Sequence, residues 1–122
     1  MSWFRKAPAA GPDFSEIDSR EKAEALAARG ELTPMLLLPE MFGGEPVPHN
    51  IVFVPPFAAD LKHSADIDVV RPLAEEGKIS RYNVEPRYAG NSFVPVALKL
   101  VAHDPGKFVQ TIRIWGEGLE DD

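Results

Sequence analysis

The chain contains no cysteine among its 122 residues. This absence excludes disulfide bridges, thiolate nucleophiles and zinc sites built on cysteine. Long apolar runs are also missing, because the longest aliphatic stretch, residues 35–38, is far shorter than the roughly 20 residues that a membrane-spanning helix needs. The sequence therefore predicts a domain that is held together by an ordinary hydrophobic core and is not inserted in a membrane.

Recognisable catalytic motifs are also absent. The three histidines do not share a helical spacing, and no serine lies in a G-x-S-x-G turn. The glycine pair Gly43–Gly44 lacks the lysine and the following helix of a phosphate-binding loop. Adjacent carboxylates such as Glu75 and Glu76 are typical of a solubilising helix surface. The sequence offers no positive evidence for an enzyme, and we expect no cofactor.

Length and charge indicate one small acidic domain. A chain of 122 residues suits a single core, and its net charge of −6 argues against indiscriminate binding to nucleic acid. The first residues contain no apolar signal core, which together with the lack of cysteine favours the cytoplasm. We expect a flexible N-terminal arm over residues 1–12, a single α+β domain over 13–116 and an acidic C-terminal tail over 117–122.

The clearest pattern predicts three consecutive strands, over residues 79–88, 92–103 and 107–115. Strict alternation in the middle strand predicts one buried face and one face open to solvent. The residues predicted to be buried there are Val94, Val96, Leu98, Leu100 and Ala102. Pro105 and Gly106 favour a type II turn or a bulged hairpin between the last two strands.

The remaining elements are a helix over 15–28, strands over 33–38 and 50–55, and a helix over 57–76. Because its apolar residues rotate round the axis and Pro72 removes a backbone hydrogen bond, we expect this helix to kink, or to break near residues 64–66. The resulting order, α-β-β-α-β-β-β, predicts an α+β fold with a mixed or antiparallel sheet, a C-terminal three-stranded meander and helices mainly on one face. This build is similar to that of many small bacterial partner-binding domains, and the resemblance is one of fold alone. Four residues of the second helix are predicted to face the core, namely Phe57, Ala58, Leu61 and Ala65.

The open face of the meander is the main candidate binding surface. The residues predicted to lie on it are Arg81, Arg87, Lys99, Arg113 and Trp115. Arginine and tryptophan are enriched in protein-binding hot spots, so a protein partner is the leading functional interpretation of this face. The structural interpretation, which is favoured over it, is that the first helix covers this face and pairs its carboxylates with the arginines. Binding of single-stranded nucleic acid is disfavoured, because the clustered aromatic residues of such sheets are missing.

A loop between the first two strands is the second candidate site. Glu40, Glu45 and His49 share this loop, but without a second histidine they do not predict a metal centre. The leading hypothesis is a small non-enzymatic cytoplasmic binding protein, immunity-type or adaptor-like, that acts through protein–protein contacts. The alternative is a small enzyme or a ligand- or metal-binding domain that uses residues 40–50. The partner's identity and the oligomeric state stay open.

Overall fold

A computed structural model describes residues 13–120, and it shows the predicted α+β fold with its C-terminal meander. The predicted arm over 1–12 and residues 121–122 of the predicted tail lie outside the described residues. The helices and strands, in chain order, are α1 (Arg20–Ala28), β1 (Thr33–Leu36), β2 (Ile51–Val54), α2 (Pro56–Ala65), α3 (Arg71–Glu75), β3 (Arg81–Arg87), β4 (Ala97–His103) and β5 (Lys107–Arg113). No helix in this part of the chain is long and apolar enough to cross a bilayer.

The meander is an antiparallel sheet in the order β3-β4-β5. Leu98, at the centre of β4, lies opposite Pro86 on one side and Ile112 on the other. All five residues predicted to be buried around and within β4 have no exposed surface, which confirms this set, but Pro95 and Ala97 between them are buried too, so buried and open positions alternate only from Leu98 to His103. Pro86 lies in an edge strand, where a missing N–H group is tolerated.

The other two strands form a separate antiparallel pair, so the described strands make two sheets instead of one. In β2, Val52, Phe53 and Val54 are buried, as expected for a strand that is covered on both sides. Pro56 then opens α2 at a first helical position, where its missing N–H costs little.

The helix predicted over 57–76 is divided by a single wide turn. A π-helical segment, Asp66–Val70, separates α2 from α3, and the Arg71 N–H donates to the Asp66 carbonyl across it. Pro72 has no N–H with which to continue the α-helical pattern, which explains why the helix is irregular at this point. The break was predicted near residues 64–66 and begins at Asp66.

The rotation of α2 differs from the prediction. Phe57 and Leu61 are 44% and 48% exposed, whereas Ala58, Lys62 and Ala65 are buried. The expectation that Phe57 and Leu61 face the core is therefore wrong. Helix α2 contacts β1 and β5, and it turns the side that carries Ala58 and Ala65 toward the core instead.

Two local predictions also need correction. The helix expected from residue 15 begins at Arg20, where the Ser19 hydroxyl accepts a hydrogen bond of 3.2 Å from the Lys22 N–H and caps the helix. Of the two forms predicted for the connection before β5, the type II turn is not formed, because Gly106 lacks the positive φ that its third position requires, whereas Asp104 has a φ of 71°. Gly106 is needed for close approach, since a Cβ atom there would lie 2.8 Å from the Lys78 carbonyl oxygen.

Candidate functional site

The open face of the meander carries alternate side chains from all three strands, because successive residues of a strand point to opposite faces. Its four cross-strand rows are Arg81–His103–Lys107, Asn83–Val101–Val109, Glu85–Lys99–Thr111 and Arg87–Ala97–Arg113. The structure thus brings together four of the five residues predicted for this surface, and all four are exposed. Lys107, which the sequence interpretation omitted, joins them at the end of the first row. We call these twelve residues the basic face.

The charge of the basic face is opposite in sign to that of the whole chain. Its five cations are Arg81, Arg87, Lys99, Lys107 and Arg113, whereas Glu85 is the one acidic residue in the four rows. The Nε atom of Arg81 lies 3.0 Å from Asp104 Oδ2, and Nη2 of Arg87 lies 3.8 Å from Glu117 Oε1.

Three of the five cations have no such partner. Within residues 13–120, Lys99, Lys107 and Arg113 form no ion pair with a carboxylate. Glu85 is directly opposite Lys99 in the ladder, yet its carboxylate accepts a hydrogen bond of 3.1 Å from the Asn83 amide. The basic face therefore presents charge that is available to an acidic partner.

Trp115 does not belong to this surface, and its prediction as a surface residue is wrong. It is only 5% exposed, its indole N–H donates to the Val94 carbonyl over 3.0 Å, and its ring meets Phe14 edge-on at 5.9 Å. The cause is the end of β5 at Arg113, after which the N–H groups of Ile114 and Trp115 both donate to the Val96 carbonyl. Regular alternation stops there, and Trp115 turns into the core.

The first helix leaves the basic face open. Helix α1 contacts β2, and the guanidinium of Arg20 lies 5.5 Å above the ring of Phe53. Lys99 and Arg113 remain exposed to solvent. This packing argues against the alternative that α1 covers the surface.

The loop over residues 37–50 is held in shape by Asn50. Its side-chain oxygen accepts from the Leu38 N–H over 2.9 Å, and its amide donates to the carbonyls of Leu38 and Glu45, each over 3.0 Å. Gly44 passes so close to Leu38 that any Cβ atom would overlap the carbonyl oxygen of that residue. The loop is thus a packed structure with its own hydrogen bonds.

The three candidate residues of this loop are only partly brought together. Glu45 and His49 line a hollow of about 420 Å³, whereas Glu40 begins a short 3₁₀ turn, Glu40–Phe42. Across the described part of the chain, no three potential metal ligands are clustered. The loop can offer one carboxylate and one imidazole to a ligand in the hollow.

A buried polar cluster, absent from the sequence interpretation, links α2 and the π segment to β3. The Lys62 amine lies 2.6 Å from Asp66 Oδ2, and the Tyr82 hydroxyl donates to Asp66 Oδ1 over 2.6 Å. Lys62 is 2% exposed, and its amine lies 5.8 Å from the centre of the Tyr82 ring. Burial lowers the pKa of Lys62, and burial together with the bond to Asp66 raises the pKa of Tyr82 well above its ordinary value.

One signal in the sequence pointed to this cluster. Lys62 lies four residues after Ala58, three before Ala65 and four before Asp66, so all four share one helix face. Assigning Phe57 and Leu61 to the core placed that face in solvent. On this face, the lysine lies between the two alanines and the aspartate follows the second one. This pattern indicates a buried ion pair.

Tyr82 also lines a groove of about 400 Å³. Its apolar lining includes Leu38, Phe42, Val70 and Ile79, and Arg81 also contributes to its wall. Phe42 meets the Tyr82 ring edge-on, with the ring centres 5.7 Å apart. Arg81 lines the groove and also begins the first row of the basic face, so the groove and this row meet at the edge strand β3, from opposite sides of the sheet.

No protein-family model matches this chain, and neither curated proteins nor solved structures contain a significant match. The function of this chain is therefore inferred from its own residues and geometry.

Proposed function

We propose that this chain is a non-enzymatic, cytoplasmic binding protein, immunity-type or adaptor-like, that recognises an acidic segment of a protein partner through the basic face. The observation that carries the proposal is a set of three exposed cations that form no ion pair within residues 13–120, namely Lys99, Lys107 and Arg113, on a protein of net charge −6. Complementary charge of this kind steers association and suppresses wrong partners.

The residue types on the basic face favour a protein over a nucleic acid. Arginine offers a rigid fork of donors that matches a carboxylate. Val101 and Val109 are cross-strand partners between the two basic ends of the face, and Val109 is exposed, so an apolar contact is available beside the charges. None of the twelve residues is phenylalanine, tyrosine or tryptophan, and His103 is the one aromatic ring among them, so the row of stacking side chains that single-stranded nucleic acid requires is missing from this face.

The loop hollow supports a second candidate function, the binding of a small polar ligand. Asn50 fixes the loop, and Glu45 and His49 line the hollow. A ligand that binds only the folded state must raise its stability. A thermal-shift screen against metals and metabolites therefore tests this candidate, and saturable stabilisation that His49→Ala abolishes is the result that would favour it.

A matched pair of charge-reversal variants tests the basic face. We expect the double variant Lys99→Glu/Arg113→Glu to lose partner binding, because truncation of hot-spot residues alone costs about 1–4 kcal/mol each. Arg29→Glu/Arg71→Glu changes the net charge by the same amount at the residue that follows α1 and on α3, and it should retain binding. The measurement is quantitative affinity capture from the source cell with each immobilised variant, at matched protein loading.

Thermal unfolding of both double variants shows whether they fold equally well. If both variants lose captured partners equally, the effect is due to net charge and not to the basic face. If the Lys99→Glu/Arg113→Glu variant retains its partners, the basic face is not the binding surface.

A further inference from the structure

The groove beside Tyr82 is formed by three separate parts of the chain. Leu38 and Phe42 come from the loop before β2, Val70 and Ala74 from the end of the π segment and from α3, and Ile79 from the start of the meander. Its volume of about 400 Å³ is at the low end of the range for small-molecule sites. That size suits one large apolar side chain better than a bulky cofactor.

Several contacts fix the Tyr82 side chain, which forms one wall of the groove. The Tyr82 hydroxyl is bonded to Asp66, and Asp66 is bonded in turn to Lys62. Phe42 fixes the ring from its edge. A wall that is already in place removes part of the ordering cost that binding would otherwise incur.

The position of the groove relates it to the basic face. Arg81 lines the groove and is paired across the sheet with His103, which is paired with Lys107. A chain segment that leaves the groove round the edge strand β3 and then follows this row passes Arg81 and Lys107, two exposed cations about 10 Å apart, since neighbouring strands are about 4.8 Å apart. Apolar lining and basic surroundings therefore adjoin each other.

We infer that the groove is the anchor pocket for one aromatic or branched aliphatic side chain of the acidic segment, whose carboxylates then lie along the basic face. This inference rests on the proposed function, and it specifies the partner's chemistry: an apolar residue flanked by aspartate or glutamate. A preformed apolar pocket beside complementary charge is the arrangement in which anchor residues supply most of the affinity.

Two synthetic peptides test the inference on the full chain by amide NMR titration. They have the same acidic sequence and differ only in a central phenylalanine or alanine. The phenylalanine peptide should bind at least several-fold tighter and should shift the amide signals of Val70, Ile79 and Tyr82. Both peptides should shift signals in β3, β4 and β5.

A variant whose side chain fills the groove provides a second test of the anchor pocket. Ala74 lines the groove from the exposed side of α3, so Ala74→Trp should occupy the pocket without disturbing the core. We expect it to remove the preference for phenylalanine, whereas Ala25→Trp, at an exposed position of α1, should leave that preference intact. The amide spectrum of each variant reports directly whether it is folded.

The outcomes separate the two proposals. Equal affinity for both peptides, with shifts confined to the basic face, would overturn the anchor pocket and leave the basic face standing. Failure of both peptides to bind would overturn both proposals. Because the comparison of the two peptides uses the unaltered chain, the result does not depend on the folding of any variant.

Discussion

At the scale of single residues, the most demanding group is the Lys62 amine. It is almost completely buried, and its attraction to Asp66 must offset the loss of water around both charges. The two carboxylate oxygens of Asp66 are both used, one by Lys62 and the other by Tyr82. This balance makes the cluster sensitive to the removal of any one member.

Removing the lysine alone should be costly. We expect Lys62→Met to lower the free energy of unfolding by about 3–5 kcal/mol, because it leaves a buried carboxylate without its cation. Lys62→Met/Asp66→Leu should recover only part of that loss, since a well-packed apolar pair avoids the desolvation cost but the Tyr82 hydroxyl loses its acceptor. Urea denaturation of the three proteins measures both effects.

An exposed pair of the same spacing provides the control. Lys22 and Asp18 are also four residues apart, with Nζ and Oδ1 at 2.9 Å, but both side chains are about half exposed. Lys22→Met should cost less than about 1 kcal/mol, as is usual for a surface ion pair. If the two lysine substitutions have equal effects, Lys62 is not held as the structure shows.

At the scale of elements, β4 carries the sharpest contrast between neighbouring residues. Leu98 is fully buried, and Lys99 points to the open side. Leu98→Ala should cost about 2–5 kcal/mol through the cavity it leaves, whereas Lys99→Ala should cost well under about 1 kcal/mol. Chemical denaturation of the two variants tests the assignment of faces, and similar losses at both positions would contradict it.

The strands that were predicted correctly owe this to local pattern. The alternation of β4 can be recognised from its own residues. Its buried face, and the four cations that the predicted surface and the basic face have in common, could therefore be predicted without knowledge of the rest of the chain. Trp115 could not, because its direction depends on hydrogen bonds from residues 114 and 115 to the Val96 carbonyl. That contact joins the end of one strand to the start of another.

The inner face of α2 could not be predicted from hydrophobicity alone. Phe57 and Leu61 are the more apolar residues, yet Ala58 and Ala65 are the buried ones. Small side chains on that face let the helix lie close to its neighbours β1 and β5, and packing of this kind overrides local preference. The same error concealed Lys62 and therefore the wall of the groove.

At the scale of the whole molecule, charge is distributed unevenly. The chain is acidic overall, but the basic face holds five cations and one carboxylate. Asp104, in the turn before β5, lies beside this face and contacts both Arg81, at 3.0 Å, and His103, at 3.2 Å. It therefore competes with any acidic partner for the end of the face that adjoins the groove.

Neutralising that competitor should strengthen binding of an acidic segment. Asparagine tolerates the positive φ of 71° at position 104, so Asp104→Asn should fold normally while leaving Arg81 free. We expect the phenylalanine-containing acidic peptide to bind a few-fold tighter at low salt, and we expect the gain to shrink in about 1 M salt, where exposed charges are screened. Isothermal titration calorimetry at the two salt concentrations gives both affinities. Asp18→Asn, which frees Lys22 on α1 with the same change in net charge, should leave the affinity nearly unchanged. An equal gain from both variants would show that overall charge, and not the end of the basic face at Arg81, controls recognition.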